Sequence, residues 1–335
     1  MQKINLEDIR SLLLNPELSE KKIIKSIEEI SFKFTQKRSE IKDYVLDEDL
    51  VSSYALFYLP TNIPKFDFIF ENLNEEVQQK ILKSTFVDVG CGPGTYAYAI
   101  SRYSNAQKII CVDSARLMLN QAEKILTNKF KQHVFQFEKR IDRKIENSTL
   151  FFGNSINEMG IQKALDIVNI VDPEIIMFIE PGTSELFLEL KQIRETLTEY
   201  YDVIFPCPSN ASCPYDWCHQ VLRTTHALDV ERLSQLVSLD RKILPLTSHV
   251  YVRKSHQVIN DERLTIIRFL NETKFSFMYE VCGELNNENQ IYKIEIMKKN
   301  MTKENEKAFK NLNVGERVIF HKEKMVGDFW RGHVD

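Results

Sequence analysis

The chain has 335 residues, 43% of them hydrophobic and 27% charged, with a net charge of -4 at pH 7. That length supports about two domains with ample core, and the negative balance excludes a protein that coats nucleic acid nonspecifically. No run of about 18 apolar residues exists, which excludes a spanning helix, and the mixed charges of Lys3, Glu7, Asp8, Arg10 and Glu17 fit neither a secretory signal nor an acid-poor transit peptide.

A reducing, cytoplasmic setting is therefore expected, where clustered cysteines bind metal or do chemistry more often than they form disulfides. The average charge hides an asymmetry. Residues 241–335 hold 17 Lys+Arg against 13 Asp+Glu, whereas residues 1–240 hold 27 against 35. Four of the seven histidines, His249, His256, His321 and His333, also lie in this tail. The tail presents either an ordinary solvated surface or one that faces phosphates.

Residues 1–83 read as a mostly helical N-terminal region. Leu6, Ile9, Leu12, Leu13 and then Ile23, Ile24, Ile27, Ile30 recur at three- and four-residue spacing, with Asn15-Pro16 between the two helices. Pro60 and Pro64 then predict an interruption before a further amphipathic helix near residues 67–83.

At Thr85 the period changes, and residues 84–206 read as a nucleotide-binding domain. The short buried strand Phe86-Val-Asp88-Val runs into Gly90-Cys-Gly92-Pro-Gly94-Thr95, and a helix follows from Tyr96 to Tyr103. Glycines at such a turn let the backbone approach a ligand at the helix N-terminus. A second strand, residues 108–112, ends at Asp113, an acid placed to accept hydrogen bonds from ribose hydroxyls. The Gly-x-Gly-x-Gly spacing is not that of dinucleotide binders. It resembles motif I of the class I S-adenosylmethionine-dependent methyltransferases, with a ligand-free tight turn as the alternative.

Further strands are predicted at 133–137, 149–152, 174–179 and 202–205, and helices at 114–127, 161–171 and 184–200. Alternation of this kind gives an α/β fold with a mostly parallel, Rossmann-like sheet and ligands outside the carboxyl ends of its strands. Those ends carry Asn154, Asn157, Glu158 and Glu180. Asn157, Glu158 and Glu180 are candidates for contact with an acceptor, and each is equally ordinary as a polar strand-end residue. No Asp/Asn-Pro-Pro-aromatic tetrad of amino-methylating enzymes is present.

Residues 207–260 form a cysteine-containing segment with a helix predicted after Cys218 that carries His219, Arg223 and His226. Cys207, Cys213 and Cys218 are spaced too widely for the paired knuckles of structural zinc. Thiolates with adjacent prolines suit an iron-sulfur cluster, for which Cys282 is the candidate fourth ligand. Cys91 and Cys111 read as core cysteines. Pro206-Cys207 also has the form of the nucleophile in pyrimidine-C5 methylating enzymes, but Cys207 follows a late strand and has two close cysteine companions. Residues 261–335 are strand-rich, and the tail predicts a small antiparallel β domain beginning with the strand at 249–252. Phe275, Phe277, Tyr279, Lys274, Arg268, Trp330 and Arg331 could stack on and neutralise RNA, or serve as core.

Taken in order, Ala55-x-x-Tyr58-x-Pro60, Asp88 to Thr95, Glu180-Pro-Gly-Thr183, Cys207-Pro, Cys213-Pro, Trp217-Cys-His219, Arg268 with Lys274, Val281-Cys282 and Val326-Gly-Asp-Phe-Trp330 resemble the methyltransferase-like proteins of the mitochondrial small ribosomal subunit and their bacterial relatives. The resemblance implies S-adenosylmethionine bound by Asp88, Gly90, Gly92, Gly94, Thr95, Asp113 and Asn154. It also implies a four-cysteine, 4Fe-4S cluster on Cys207, Cys213, Cys218 and Cys282, and association with small-subunit ribosomal RNA and proteins. A noncatalytic assembly factor, and a zinc-containing methyltransferase of small molecules, are the alternatives. No membrane partner is expected, and a monomer is.

Overall fold

The computed structural model describes residues 3–36, 46–104, 106–213, 215, 217–254, 263–285 and 288–334, so His256 lies outside the described residues. Two compact units divide the chain: Met1–Ile175 with Arg223–Leu244, and Ile176–Leu222 with Pro245–Asp335.

The N-terminal helices are α1 (Glu7–Arg10), α2 (Glu20–Gln36), α3 (Glu48–Asn72) and α4 (Glu75–Lys83). The Asp47 carboxylate starts α3 by accepting from the amides of Asp49 and Leu50 at 2.8 and 3.0 Å. The helix then runs through Pro60 and Pro64 where the sequence predicts a break. Each interior proline costs about 3 kcal/mol. Against that, Leu56, Phe57, Leu59, Ile63, Phe66 and Ile69 are all buried, and each such side chain contributes about 1.5–3 kcal/mol. Tertiary burial on every face, rather than amphipathic periodicity, holds α3 together. The chain breaks at Leu73, and the Asn74 side chain caps α4 by accepting from Val77 N at 2.9 Å.

The rest of this unit alternates: β1 (Thr85–Val89), α5 (Thr95–Ser101), β2 (Lys108–Val112), α6 (Arg116–Lys129), β3 (Val134–Glu138), β4 (Ser148–Gly153), α7 (Ile156–Met159) and α8 (Ile161–Val171). Parallel pairing sets Asp88 of β1 opposite Cys111 of β2 and Phe151 of β4. There follow β5 (Ile175–Pro181), α9 (Ser184–Leu197), β6 (Tyr201–Phe205), β7 (Gln220–Arg223), α10 (Leu228–Leu236) and β8 (Ile243–Arg253). The first sheet has the order β3-β2-β1-β4-β5-β8-β6, with β7 paired to β8 and β8 antiparallel to β6. A dinucleotide-binding sheet would read 3-2-1-4-5-6. One reversed strand inserted before the last makes this the expected class I methyltransferase-like α/β sheet. Sequence patterning instead assigned that strand to the C-terminal β domain, because alternation reveals a strand but not its sheet.

The second sheet contains β9 (Leu264–Glu272), β10 (Ser276–Leu285), β11 (Glu288–Met297), β12 (Arg317–Val318), β13 (Phe320–Val326) and β14 (Phe329–Val334), with α11 (Lys303–Lys310) between β11 and β12. Its order is β12-β9-β10-β11-β14-β13. The expected antiparallel domain is corrected at one place, since β11 and β14 run parallel. Leu264, Ile266, Phe277, Tyr279, Val281 and Ile294 form its core, which settles Phe277 and Tyr279 as packing residues.

Candidate functional site

In the first unit, β1 ends in a loop whose three glycines all have positive φ: Gly90 at 71°, Gly92 at 53° and Gly94 at 85°. A Cβ on Gly90 would lie 2.6 Å from Ser155 Cβ, whereas one on Gly92 would meet nothing within 4 Å. The loop is thus tight against α7's flank at Gly90 and open at Gly92, where a ligand can approach bare backbone. Asp113 fixes this shape. One carboxylate oxygen accepts from Gly92 N at 2.9 Å and the other from Ala115 N at 2.8 Å. Burial raises its carboxyl despite these bonds.

Asp88 lies beneath the loop, fully buried, and accepts from Ala97 N at 3.0 Å; its Oδ1 has no hydrogen-bond partner among the described residues. It anchors the start of α5 from below. Burial pushes its carboxyl up to about 7, with added repulsion from Asp113. A carboxyl raised in the fold takes up its proton there first. Its stabilising share is therefore complete below its ordinary value of 3.8 and is lost as pH rises through about 7. Asp88→Asn is expected to match wild type near pH 4 and to exceed it at pH 8 by on the order of 4 kcal/mol. Urea unfolding across that range tests this, and parallel curves for the two proteins would contradict it.

Thr95 is buried as the first residue of α5. Asn154, in a left-handed conformation at φ 53°, donates to the Tyr96 hydroxyl at 3.0 Å. Asn157 and Glu158 are exposed on α7. Glu158 and Asp113 both act electrostatically on Tyr54, which burial drives upward and Arg241 relieves. Sequence reasoning missed this group. Tyr54, Tyr58 and Asn62 recur every four residues on α3, and the Arg241 guanidinium stands over the Tyr58 ring at 5.7 Å while donating from Nη2 to Asn62 Oδ1 at 2.6 Å. A polar stripe on an otherwise apolar helix was the available signal.

In the second unit, α9 organises the cysteine loop. Thr183 caps α9 by accepting from Leu186 N at 3.3 Å. Buried Arg194 donates to the carbonyls of Ser209 and Ala211 at 2.9 and 2.5 Å, and Lys191 donates to that of Tyr215 at 2.9 Å. Cys282, on β10, is paired in register with Thr265 of β9, whose hydroxyl donates to Pro206 O at 2.5 Å. That bond ties the β9–β10 pair, across a long stretch of sequence, to the residue before Cys207. Burial raises the Cys207 thiol, with Arg194 opposing. Burial pushes the Cys282 thiol up to about 12, and Cys207 and Cys213 add to the effect. Cys218 is raised by burial and then by the other three. The four thiols therefore share one electrostatic environment. Among the described residues, however, no three His, Cys, Asp or Glu side chains stand at metal-holding spacing.

The helix predicted after Cys218 is corrected to the strand β7, and His219 stacks on Trp217 with ring centroids 4.8 Å apart. Gln220 and Leu222 are buried while Val221 and Arg223 are less so, the alternation of a half-buried strand. Glu180 is buried at the end of β5. There Gly182 passes so close to β8 that a Cβ would lie 2.8 Å from Leu246 N. Cys91 and Cys111 are buried in the first unit, as expected of core cysteines.

The family described as Mitochondrial small ribosomal subunit Rsm22 matches residues 48–317. No match was found among curated proteins. Among solved structures, magnesium protoporphyrin IX methyltransferase from Synechocystis PCC 6803 with bound SAM is similar at 11% identity and a TM-score of 0.38, over 72% of this chain and 100% of that one. The small RNA methyltransferase HEN1 is similar at 15% and 0.38, over 59% and 26%. Precorrin-6y C5,15-methyltransferase from Geobacter metallireducens GS-15 is similar at 12% and 0.36, over 54% and 92%.

Proposed function

Because the chain belongs to the Rsm22 family of the mitochondrial small ribosomal subunit, we propose that it is an S-adenosylmethionine-binding, methyltransferase-like protein that works on the small ribosomal subunit and its RNA. The observation that carries this reading is the glycine loop, held open at Gly92 by the Asp113 carboxylate. The remaining lone pairs of Asp113 would accept the ribose hydroxyls, and the Gly92 backbone would lie against the ligand. Methyl transfer from a sulfonium needs mainly an in-line acceptor held near the methyl group, so positioning can supply on the order of 7–11 kcal/mol. Calorimetry with S-adenosylmethionine, followed by labelled methyl transfer to small-subunit RNA from a deletion strain, tests the reading. Absence of binding would sink it; binding without transfer to immature or mature subunits would leave the noncatalytic assembly factor.

Cys207, Cys213, Cys218 and Cys282 would hold a 4Fe-4S cluster. The donor set fits: the thiols of Cys207, Cys218 and Cys282 are raised by desolvation and by neighbouring thiols, and they need a strong positive centre before they ionise together. Once bound, such a group supplies a covalent cross-link between the cysteine loop and the β9–β10 hairpin.

RNA contact is favoured by the outer strands of the second sheet. Lys322 and Lys324 are exposed on β13, and Lys322 stands 5.7 Å from the Trp330 ring of β14. The double substitution Lys322→Ala with Lys324→Ala is expected to reduce the slope of log affinity against log salt by about two, one per phosphate contact. Filter binding of small-subunit RNA at several salt concentrations reads this, and an unchanged slope would remove the strand from the interface.

A further inference from the structure

Among the described residues, Arg241 forms no ion pair with any carboxylate. Its guanidinium offers five donors, yet it makes one hydrogen bond, to Asn62, and its buried Nε has no partner among the described residues. Neighbouring Asp240 is occupied by Lys242 N at 2.8 Å. The backbone carbonyl of Arg241 is held by His226 Nε2 at 2.6 Å, and its side chain rests over the Tyr58 ring. Position is thus fixed from three sides, while Asp240 acts on the charge only through electrostatics and makes no ion pair with it among the described residues. A desolvated guanidinium is costly unless something pairs with it. Lysine could shed its proton there, but arginine cannot.

The surroundings select among anions. Tyr54, one turn before Tyr58 on α3, is acted on electrostatically by Arg241 and by the acids Asp113 and Glu158, and α3 packs against α5, the helix that the glycine loop opens. A polyanionic backbone would be repelled by those acids. S-adenosylmethionine carries one carboxylate with an ammonium and a sulfonium, and satisfies both signs at once. Resting on the reading of the loop as its site, we infer that Arg241 receives the α-carboxylate of S-adenosylmethionine, with Asn62 and the Tyr58 ring holding the guanidinium in place. Adenosyl recognition then belongs to Asp113 and Gly92, and amino-acid recognition to Arg241.

Two ligands separate these roles: S-adenosylmethionine, and decarboxylated S-adenosylmethionine, which lacks only the carboxylate. Removing a charge-assisted pair should weaken binding about 10- to 100-fold. Arg241→Gln is therefore expected to lose that factor for S-adenosylmethionine in calorimetry and to bind the decarboxylated ligand as wild type does. Unchanged affinity for S-adenosylmethionine would overturn the assignment. Equal loss of both ligands would also overturn it, because Arg241 would then merely hold the fold. If the wild-type protein bound neither ligand, the reading of the loop would fall, and this inference with it.

Discussion

Gly90→Ala is expected to bind no S-adenosylmethionine and to lose about 2–5 kcal/mol of stability. Two costs add. An L-residue at φ 71° pays about 1–2 kcal/mol for its left-handed backbone. Its Cβ would also stand 2.6 Å from Ser155 Cβ, and overpacking a tight contact costs about 1–3 kcal/mol. Neither neighbour is free to yield. Gly90 N is bonded to Val112 O at 2.8 Å, and Ser155 is buried just before α7. Gly92→Ala isolates the second consequence. It shares the backbone cost, about 1–2 kcal/mol, but its Cβ meets nothing within 4 Å. It should remain folded and still lose binding, because the new methyl occupies the face that the ligand approaches. Urea unfolding and calorimetry on both variants separate the effects, and full ligand affinity in Gly92→Ala would place the ligand elsewhere.

The glycine loop, its strand and Asp113 were legible in the sequence because each obeys a local rule: a buried β run, glycines at the turn, an acid at the end of the next strand. What escaped were features set by contacts distant in sequence. Pro60 and Pro64 obey a local rule as well, and it gave the wrong answer, because burial of residues such as Phe57 and Phe66 outweighs two missing helix bonds. That one misreading hid the stripe of Tyr54, Tyr58 and Asn62, which exists only if the helix is continuous, and with it the place of Arg241. The strand at 249–252 was visible as a strand, but it is only the end of β8, whose partner β6 is encoded about forty residues away, and nothing in either alternation names the other. Cys282 was selected from the composition of six cysteines; the tie of its strand pair to the residue before Cys207 comes from the Thr265 hydroxyl and the register of β9 against β10, neither of which periodicity reveals.

On the proposed cluster, Cys282→Ser is expected to abolish iron binding and to loosen the second sheet. Its thiol sits on β10, opposite Thr265, and is raised by burial and by Cys207 and Cys213. A serine there leaves three thiols with no fourth soft donor, and its hydroxyl is a poor iron ligand. A group held a thousandfold below its free concentration stabilises the fold by about 4 kcal/mol, which at about 2–4 °C per kcal/mol amounts to roughly 10 °C in Tm. Iron and labile sulfide measured after anaerobic purification should fall together, and hydrogen exchange should quicken along β9 to β11. Cys111→Ser provides the contrast. Cys111 is fully buried on β2 of the first unit, so this variant should cost stability while retaining all of the iron. Full iron in Cys282→Ser would dismiss Cys282 as a ligand. Zinc without sulfide in the wild type would keep the four thiols as a metal site and replace the cluster, since thiolate sets accept either ion and only the inorganic sulfide distinguishes them.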